Sequence, residues 1–175
     1  MFIGTDDSVM GFGYRAAGKE EGANQHKWKL IERPPECNNY QEMAAGKFFR
    51  LLLTKAGKLF FSGQNKKCCI GKDIEVNAYV DKFYDVTEHF PLESDDKIIS
   101  ADGGKHFIVL CTQKGKVYAA GNVAWNGVSD EVRQNSENNA DYAFECRMNG
   151  NAEGYKAEKV WACDWYGNFW ILASK

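Results

Sequence analysis

The sequence predicts an all-β chain made of β-propeller blades, each of four antiparallel strands, with about three blades and hence less than a closed ring. A segment recurs at an interval of nearly 60 residues, each copy reads as a β-hairpin, and no stretch carries a long amphipathic helical period.

The recurrence needs no gap. Gly46-Lys47-Phe48-Phe49-Arg50-Leu51-Leu52-Leu53-Thr54-Lys55-Ala56-Gly57-Lys58-Leu59-Phe60-Phe61-Ser62-Gly63 lies over Gly104-Lys105-His106-Phe107-Ile108-Val109-Leu110-Cys111-Thr112-Gln113-Lys114-Gly115-Lys116-Val117-Tyr118-Ala119-Ala120-Gly121. Beyond the first glycine, the copies share Lys47 with Lys105, Phe49 with Phe107, Thr54 with Thr112, Gly57 with Gly115, Lys58 with Lys116 and Gly63 with Gly121. Coincidences at one fixed offset mark an internal repeat. Gly4 precedes Gly63 by nearly the same interval, so the first residues read as the end of a unit. Towards residue 175, Phe169, Leu172 and Ser174 fall on Phe107, Leu110 and Thr112, and Val160-Trp161-Ala162 on Ile98-Ile99-Ser100.

Each copy opens with a strand of aromatic and branched residues, turns at Lys55-Ala56-Gly57 or Gln113-Lys114-Gly115, and closes with a strand ending at glycine. Gly57 and Gly115 stand where the hairpin connection needs positive φ. Gly46, Gly63, Gly104 and Gly121 flank strands, where a missing Cβ permits a bulge or close backbone approach. Further apolar segments precede the hairpins, at Trp28-Lys29-Leu30-Ile31, Tyr84-Asp85-Val86 and Tyr142-Ala143-Phe144, each followed by a polar loop and a short approach strand. Residues 1–175 form one array, with blade segments at about 1–13, 28–71, 79–128 and 140–175. Residues 126–155, rich in Asn, Glu and Gly, read as a long surface excursion.

These residues resemble the regulator-of-chromosome-condensation repeat, whose signature is roughly G-x-x-H-S-L-A-L-T-x-x-G-x-V-Y-x-W-G-x-N-x-x-G-Q-L-G. Gly104 to Gly121 carries the match, and Gly63-Gln64-Asn65-Lys66-Lys67-Cys68-Cys69-Ile70-Gly71 keeps the family's glycine, asparagine, aliphatic residue and final glycine. The copies depart from the signature at Ser62 and Ala120, where the family has tryptophan, and at Phe49 and Phe169, where it has histidine. The resemblance implies blades of a propeller that usually has seven. It also implies protein partners, among them a small GTPase for which family members act as nucleotide-exchange factors. A regulatory propeller of a ubiquitin ligase is a further family role.

Composition narrows the function classes. A formal net charge of −2, with Lys and Arg scattered, supplies no basic stripe for a phosphate backbone, so no direct nucleic-acid partner is expected. The apolar run Phe48–Leu53 is far shorter than the ~20 residues of a membrane span. The first seven residues show no leader pattern, so the expected location is intracellular and cytoplasmic, with nuclear or cytoskeletal association open. Cys37, Cys68, Cys69, Cys111, Cys146 and Cys163 include no CxxC pair, and His26, His89 and His106 lack metal-ligand spacing. The glycine pairs precede no helix that could hold a phosphate. Neither cofactor nor catalytic residue is expected.

The expected function is therefore a non-enzymatic protein-interaction or scaffold module within a larger propeller or complex. Its candidate contact residues lie in the loops between strands: Asp6 and Asp7, then Gln64, Asn65, Lys66 and Lys67, then Asn122 and Trp125. The acidic pairs Asp6-Asp7, Glu20-Glu21 and Asp95-Asp96 read as solvated loop ends. Trp161, Trp165, Tyr166, Phe169 and Trp170 read mainly as packing between blades, with a minority exposed as interface anchors. Fewer than a full ring of blades leaves faces and strand edges to be covered by more of a longer propeller, by further copies or by a partner, and the first and last of these are preferred.

Overall fold

The computed structural model of the chain describes residues 2–3, 8–11, 29–32, 34, 36–37, 39–66, 70, 74–75, 77–122, 144–146, 152–163 and 168–175. Among these, the strands form four antiparallel sheets, and a 3-10 turn spans Thr87–His89. The first sheet holds β1 (Phe2–Ile3), β2 (Val9–Gly11) and β3 (Lys29–Leu30). The second holds β4 (Tyr40–Ala45), β5 (Phe49–Thr54), β6 (Leu59–Gln64) and β7 (Tyr79–Asp85) in that spatial order. The third repeats it with β8 (Ile98–Gly103), β9 (Phe107–Thr112), β10 (Val117–Gly121) and β11 (Phe144–Glu145). The fourth contains β12 (Lys156–Ala162) and β13 (Phe169–Ser174). Four-stranded antiparallel meanders repeated in this way are propeller blades.

The core lies between sheets. Along β5, Phe49, Leu51 and Leu53 pack with Ile98, Ile108 and Leu110 of the third sheet, while Leu52 joins Phe60, Phe83, Val9 and Ile31 on the other side. In β9 the same alternation sends Ile108 and Leu110 back to the second sheet, and Phe107, Val109 and Cys111 forward to Ala157 and Val160 of the fourth. Successive strand residues point to opposite faces, and here both faces are covered, so every residue of β5 and β9 is buried. That is why these strands read as continuous apolar runs.

The hairpin turns follow from the shared Thr-x-x-Gly. Gly57 N–H donates to Thr54 O at 2.9 Å and Gly115 N–H to Thr112 O at 2.9 Å, with φ of 85° and 83° at the glycines. The threonine hydroxyls accept from Lys58 N–H at 3.1 Å and Lys116 N–H at 3.3 Å. A type I turn closed by a left-handed glycine is the standard three-residue hairpin loop. Both glycines are also pressed against the next sheet, since a Cβ on Gly57 would stand 2.7 Å from Lys97 Cβ and one on Gly115 2.5 Å from Lys156 Cβ.

The sheet boundaries differ from segments 28–71 and 79–128. Tyr79–Asp85 pairs with β6 as the outer strand of the second sheet, and Phe144–Glu145 is likewise outermost in the third. A period fixes the length of a unit but not its phase, so the outer strand was grouped with the wrong neighbour. At the first sheet, Ile31 N–H donates to Val9 O at 2.7 Å as Val86 N–H does to Leu59 O at 2.8 Å and Cys146 N–H to Val117 O at 2.7 Å. Val9 thus holds the place of Leu59 and Val117, which corrects the frame that ended a unit at Gly4.

The fourth sheet carries a correction of one residue in β13 and of three in β12. Its pairs Val160↔Ile171 and Trp161↔Trp170 follow a bulge between Ala157 and Lys159, just as Ala101↔Leu110 and Asp102↔Val109 follow one between Ile98 and Ser100. Phe169 therefore matches Ile108 rather than Phe107, Leu172 matches Cys111 rather than Leu110, and Val160 matches Ala101. The β12–β13 connection holds two more residues than the β8–β9 one, and a gapless alignment cannot absorb them.

Candidate functional site

One end of the sheets gathers the segments that enter the second strand of each blade and leave the third. In the second sheet, Gln64 N–H donates to Phe48 O at 2.8 Å; in the third, Asn122 N–H donates to His106 O at 2.9 Å. The same backbone bond thus seats Phe48 and His106 at corresponding places on neighbouring blades. Lys47 N–H reaches Gly104 O at 3.4 Å and ties the two approach turns together. Gly46 and Gly104 form these turns, and Gly63 and Gly121, with φ of 129° and 90°, lie at the exits of β6 and β10.

The two rings stack across the blade boundary, with centroids 5.1 Å apart and planes 3° from parallel. Both are half-buried. Lys66 Nζ stands 4.8 Å and Lys47 Nζ 5.4 Å from the centre of the Phe48 ring. An ammonium over an aromatic face contributes roughly 0.5–1 kcal/mol at exposed sites, so the cations and rings hold one another in place. What results is a flat aromatic patch with positive charge beside it. Such a surface can contact another protein by stacking and by charge-assisted hydrogen bonds.

The predicted contact residues separate here. Gln64 and Lys66 lie at the patch, and exposed Asn122 lies at its His106 side. Asn65 is fully buried instead: its side chain donates to Ile74 O at 2.8 Å and accepts from Ile70 N–H at 3.2 Å, organising the chain that leaves β6. A buried amide with these partners shapes the loop from within. Asp6, Asp7, Lys67 and Trp125 lie outside the described residues, as do Cys68 and Cys69. Phe48, Lys47 and His106 are not among the contact residues that the sequence singles out. The signal that could have found them is the repeat itself, which places Phe48 and His106 in register on adjacent blades.

Elsewhere, burial and ion pairing shift several titratable groups. Desolvation pushes the Cys111 and Cys146 thiols up to about 12, far from the thiolate needed for nucleophilic work. At the opposite end of the sheets, Glu93 accepts from Lys114 and Lys116 at 2.6 Å each, and Asp95 also accepts from Lys114. Hydrogen bonds from Lys114 and Lys116 lower the Glu93 carboxyl to about 2. Among the described residues no group of three or more His, Cys, Asp or Glu side chains could hold a metal ion, and no helix is long and apolar enough to cross a membrane.

No protein-family model matches the chain, and no curated protein matches its sequence. Solved structures do match its fold. Prp20p from Saccharomyces cerevisiae, a structure described with its binding properties to Gsp1p and histones, has a TM-score of 0.68 at 20% identity, over 95% of this chain and 39% of that one. Yeast RCC1 (Prp20) with Kap60 bound gives 0.66 at 19% identity, over 95% and 38%. Human WBSCR16 gives 0.62 at 19% identity, over 90% and 43%. The chain thus spans about two fifths of the length of the proteins it matches. At these identities the likeness is one of architecture: the chain has the blade fold of the regulator-of-chromosome-condensation propellers.

Proposed function

We propose that the chain is a non-enzymatic protein-interaction module, working within a larger propeller or complex inside the cell, and that its partner docks on the end of the sheets carrying Phe48, His106, Lys47 and Lys66. The observation that carries this reading is the Phe48–His106 stack with its flanking ammonium groups, which spends aromatic surface and charge at the blade ends instead of in the core. The proteins of like fold point the same way, since their descriptions name protein partners: Gsp1p and histones for Prp20p, and Kap60.

A double substitution tests it. Phe48→Ala with Lys66→Glu removes one ring of the stack and reverses one charge while leaving the inter-sheet cores intact. Partner capture should fall at least tenfold against wild type, with the thermal midpoint little changed; unaltered capture of every wild-type partner overturns the reading. The second reading is nucleotide exchange on a small GTPase, favoured by the likeness to a protein described with Gsp1p. Release of a fluorescent guanine nucleotide from a small GTPase separates the two. The scaffold reading expects no acceleration by the chain, and concentration-dependent acceleration replaces it with exchange.

A further inference from the structure

The two ends of the sheets leave their lysines in different states. Around the β5–β6 and β9–β10 turns, Lys58 pairs with Asp85 at 3.1 Å, Lys114 with Glu93 at 2.6 Å and with Asp95, and Lys116 with Glu93 at 2.6 Å. At the other end, the neighbour of Lys66 is the Phe48 ring, and among the described residues no carboxylate meets its Nζ. A cation over an aromatic face is attracted by the ring and uses none of the three N–H donors of the ammonium group. The donors of Lys66 thus remain available to an acceptor from outside the chain.

The carboxylates next along the chain are turned to other tasks. Asp102, at the end of β8, accepts from Gly103 N–H at 2.8 Å and from Ala162 N–H at 2.8 Å. Asp81 of β7 attracts the buried Arg50 guanidinium. Exposed Lys47 adds a second ammonium over the same ring as Lys66. Phe48 is itself fixed, by the bond from Gln64 N–H to its carbonyl and by the parallel His106 ring. A cation held over a fixed ring loses less freedom when a ligand arrives than one on a freely swinging stem.

Two ammonium groups ranged about one ring suit a short ligand with more than one negative charge. Alternate side chains of an extended segment share a face and stand roughly 7 Å apart, a spacing that cations on either side of a ring can meet. A single nucleic-acid strand would also offer negative charge and flat bases, but it needs a basic groove that follows its backbone. The formal net charge is −2, and Lys58, Lys114 and Lys116 are already paired with carboxylates, which leaves positive charge around Phe48 without a track leading from it.

We propose, resting on the reading of the Phe48–His106 end as the docking surface, that the partner's docking element is an extended acidic peptide segment whose carboxylates meet Lys66 and Lys47. The ring stack holds the two cations in place, and charge-assisted hydrogen bonds from the ammonium groups to the carboxylates supply the contact.

Retention of peptide pools on the immobilised full chain is the test. One pool consists of short peptides with Asp or Glu at alternate positions and random residues between, and its match has Asn or Gln in their place. Wild type should retain the acidic pool at least tenfold better than its match, about the effect of one charge-assisted hydrogen bond. Lys66→Glu should abolish that preference and Lys66→Arg should keep it. Lys55→Glu, the same charge change on the exposed β5–β6 turn, should leave it intact. Equal retention of the two pools by wild type overturns the proposal, and so does a loss in Lys55→Glu as large as that in Lys66→Glu, because the attraction is then diffuse. Displacement of the acidic pool by an equal concentration of oligothymidylate overturns it in favour of a single-stranded nucleic acid. Loss of partner capture in Phe48→Ala with Lys66→Glu, without any preference for the acidic pool, keeps the docking surface and discards the acidic segment. Unaltered capture in that double variant removes the docking surface and this proposal with it.

Discussion

A left-handed glycine costs its replacement a fixed conformational penalty, and a close neighbour adds to it. Gly115 and Gly154 share a φ of 83°, but a Cβ on Gly154 would meet nothing within 4 Å, whereas one on Gly115 would stand 2.5 Å from Lys156 Cβ and 2.8 Å from its Cα. Gly154→Ala should cost about 1–2 kcal/mol, the left-handed penalty alone. Gly115→Ala should cost roughly 1–3 kcal/mol more, because the turn must withdraw from β12. Chemical denaturation of the two variants measures the difference, and equal losses would show that the turn does not bear on the next blade. Asn65 permits a second comparison. Asn65→Ala leaves Ile70 N–H and Ile74 O without their side-chain partner and should lower stability by about 1–3 kcal/mol. Full stability in that variant would remove Asn65 from its structural role. Ser62, which replaces the family's tryptophan, is explained at this scale: buried Arg50 donates to its Oγ at 2.8 Å and stacks its guanidinium 5.8 Å from the Phe83 ring, filling the space with a cation instead of an indole.

The connection from β7 to β8 is held to the β9–β10 turn by charge. Glu93, Asp95, Lys114 and Lys116 form one group, and Asp96 Oδ1 also accepts from Lys114 N–H at 3.1 Å. Hydrogen bonding to the lysines depresses the Glu93 carboxyl from its ordinary 4.5 to about 2, and the Asp95 carboxyl is lowered by the same means. A carboxylate held low in the folded state stabilises above its unfolded value and loses that contribution as pH falls through the folded one. The contribution of Glu93 should accordingly be complete above about pH 5 and fade towards pH 2, and Glu93→Gln should flatten the pH profile of the melting midpoint in that window. Because the group is exposed, added salt should shrink the effect; a variant profile parallel to wild type would show the pairs to be energetically silent. The hairpins were legible at this scale because Thr-x-x-Gly is a local instruction with a local geometry. Sheet membership was not, since the repeat sets the interval between units and not the neighbour with which Tyr79–Asp85 pairs. In the fourth sheet a slip of one residue exchanged inward for outward positions, so Trp170 and Leu172 were read without their shared face being visible.

For the whole molecule, stability resides in the spaces between blades, and a strand is as secure as the number of such spaces it borders. The four central strands β5, β6, β9 and β10 contribute to a core on each side, while β13 contributes to one and turns Trp170 and Leu172 outward. Amide exchange reports local opening, and a backbone covered on both faces opens only when two cores are broken together. Amides of Leu51–Leu53 and Ile108–Leu110 should therefore exchange slowest, near the limit set by global unfolding, and those of β13 markedly faster. Equal exchange in β9 and β13 at high dilution would mean that the exposed face costs the sheet nothing, and the account of stability by paired cores would fail.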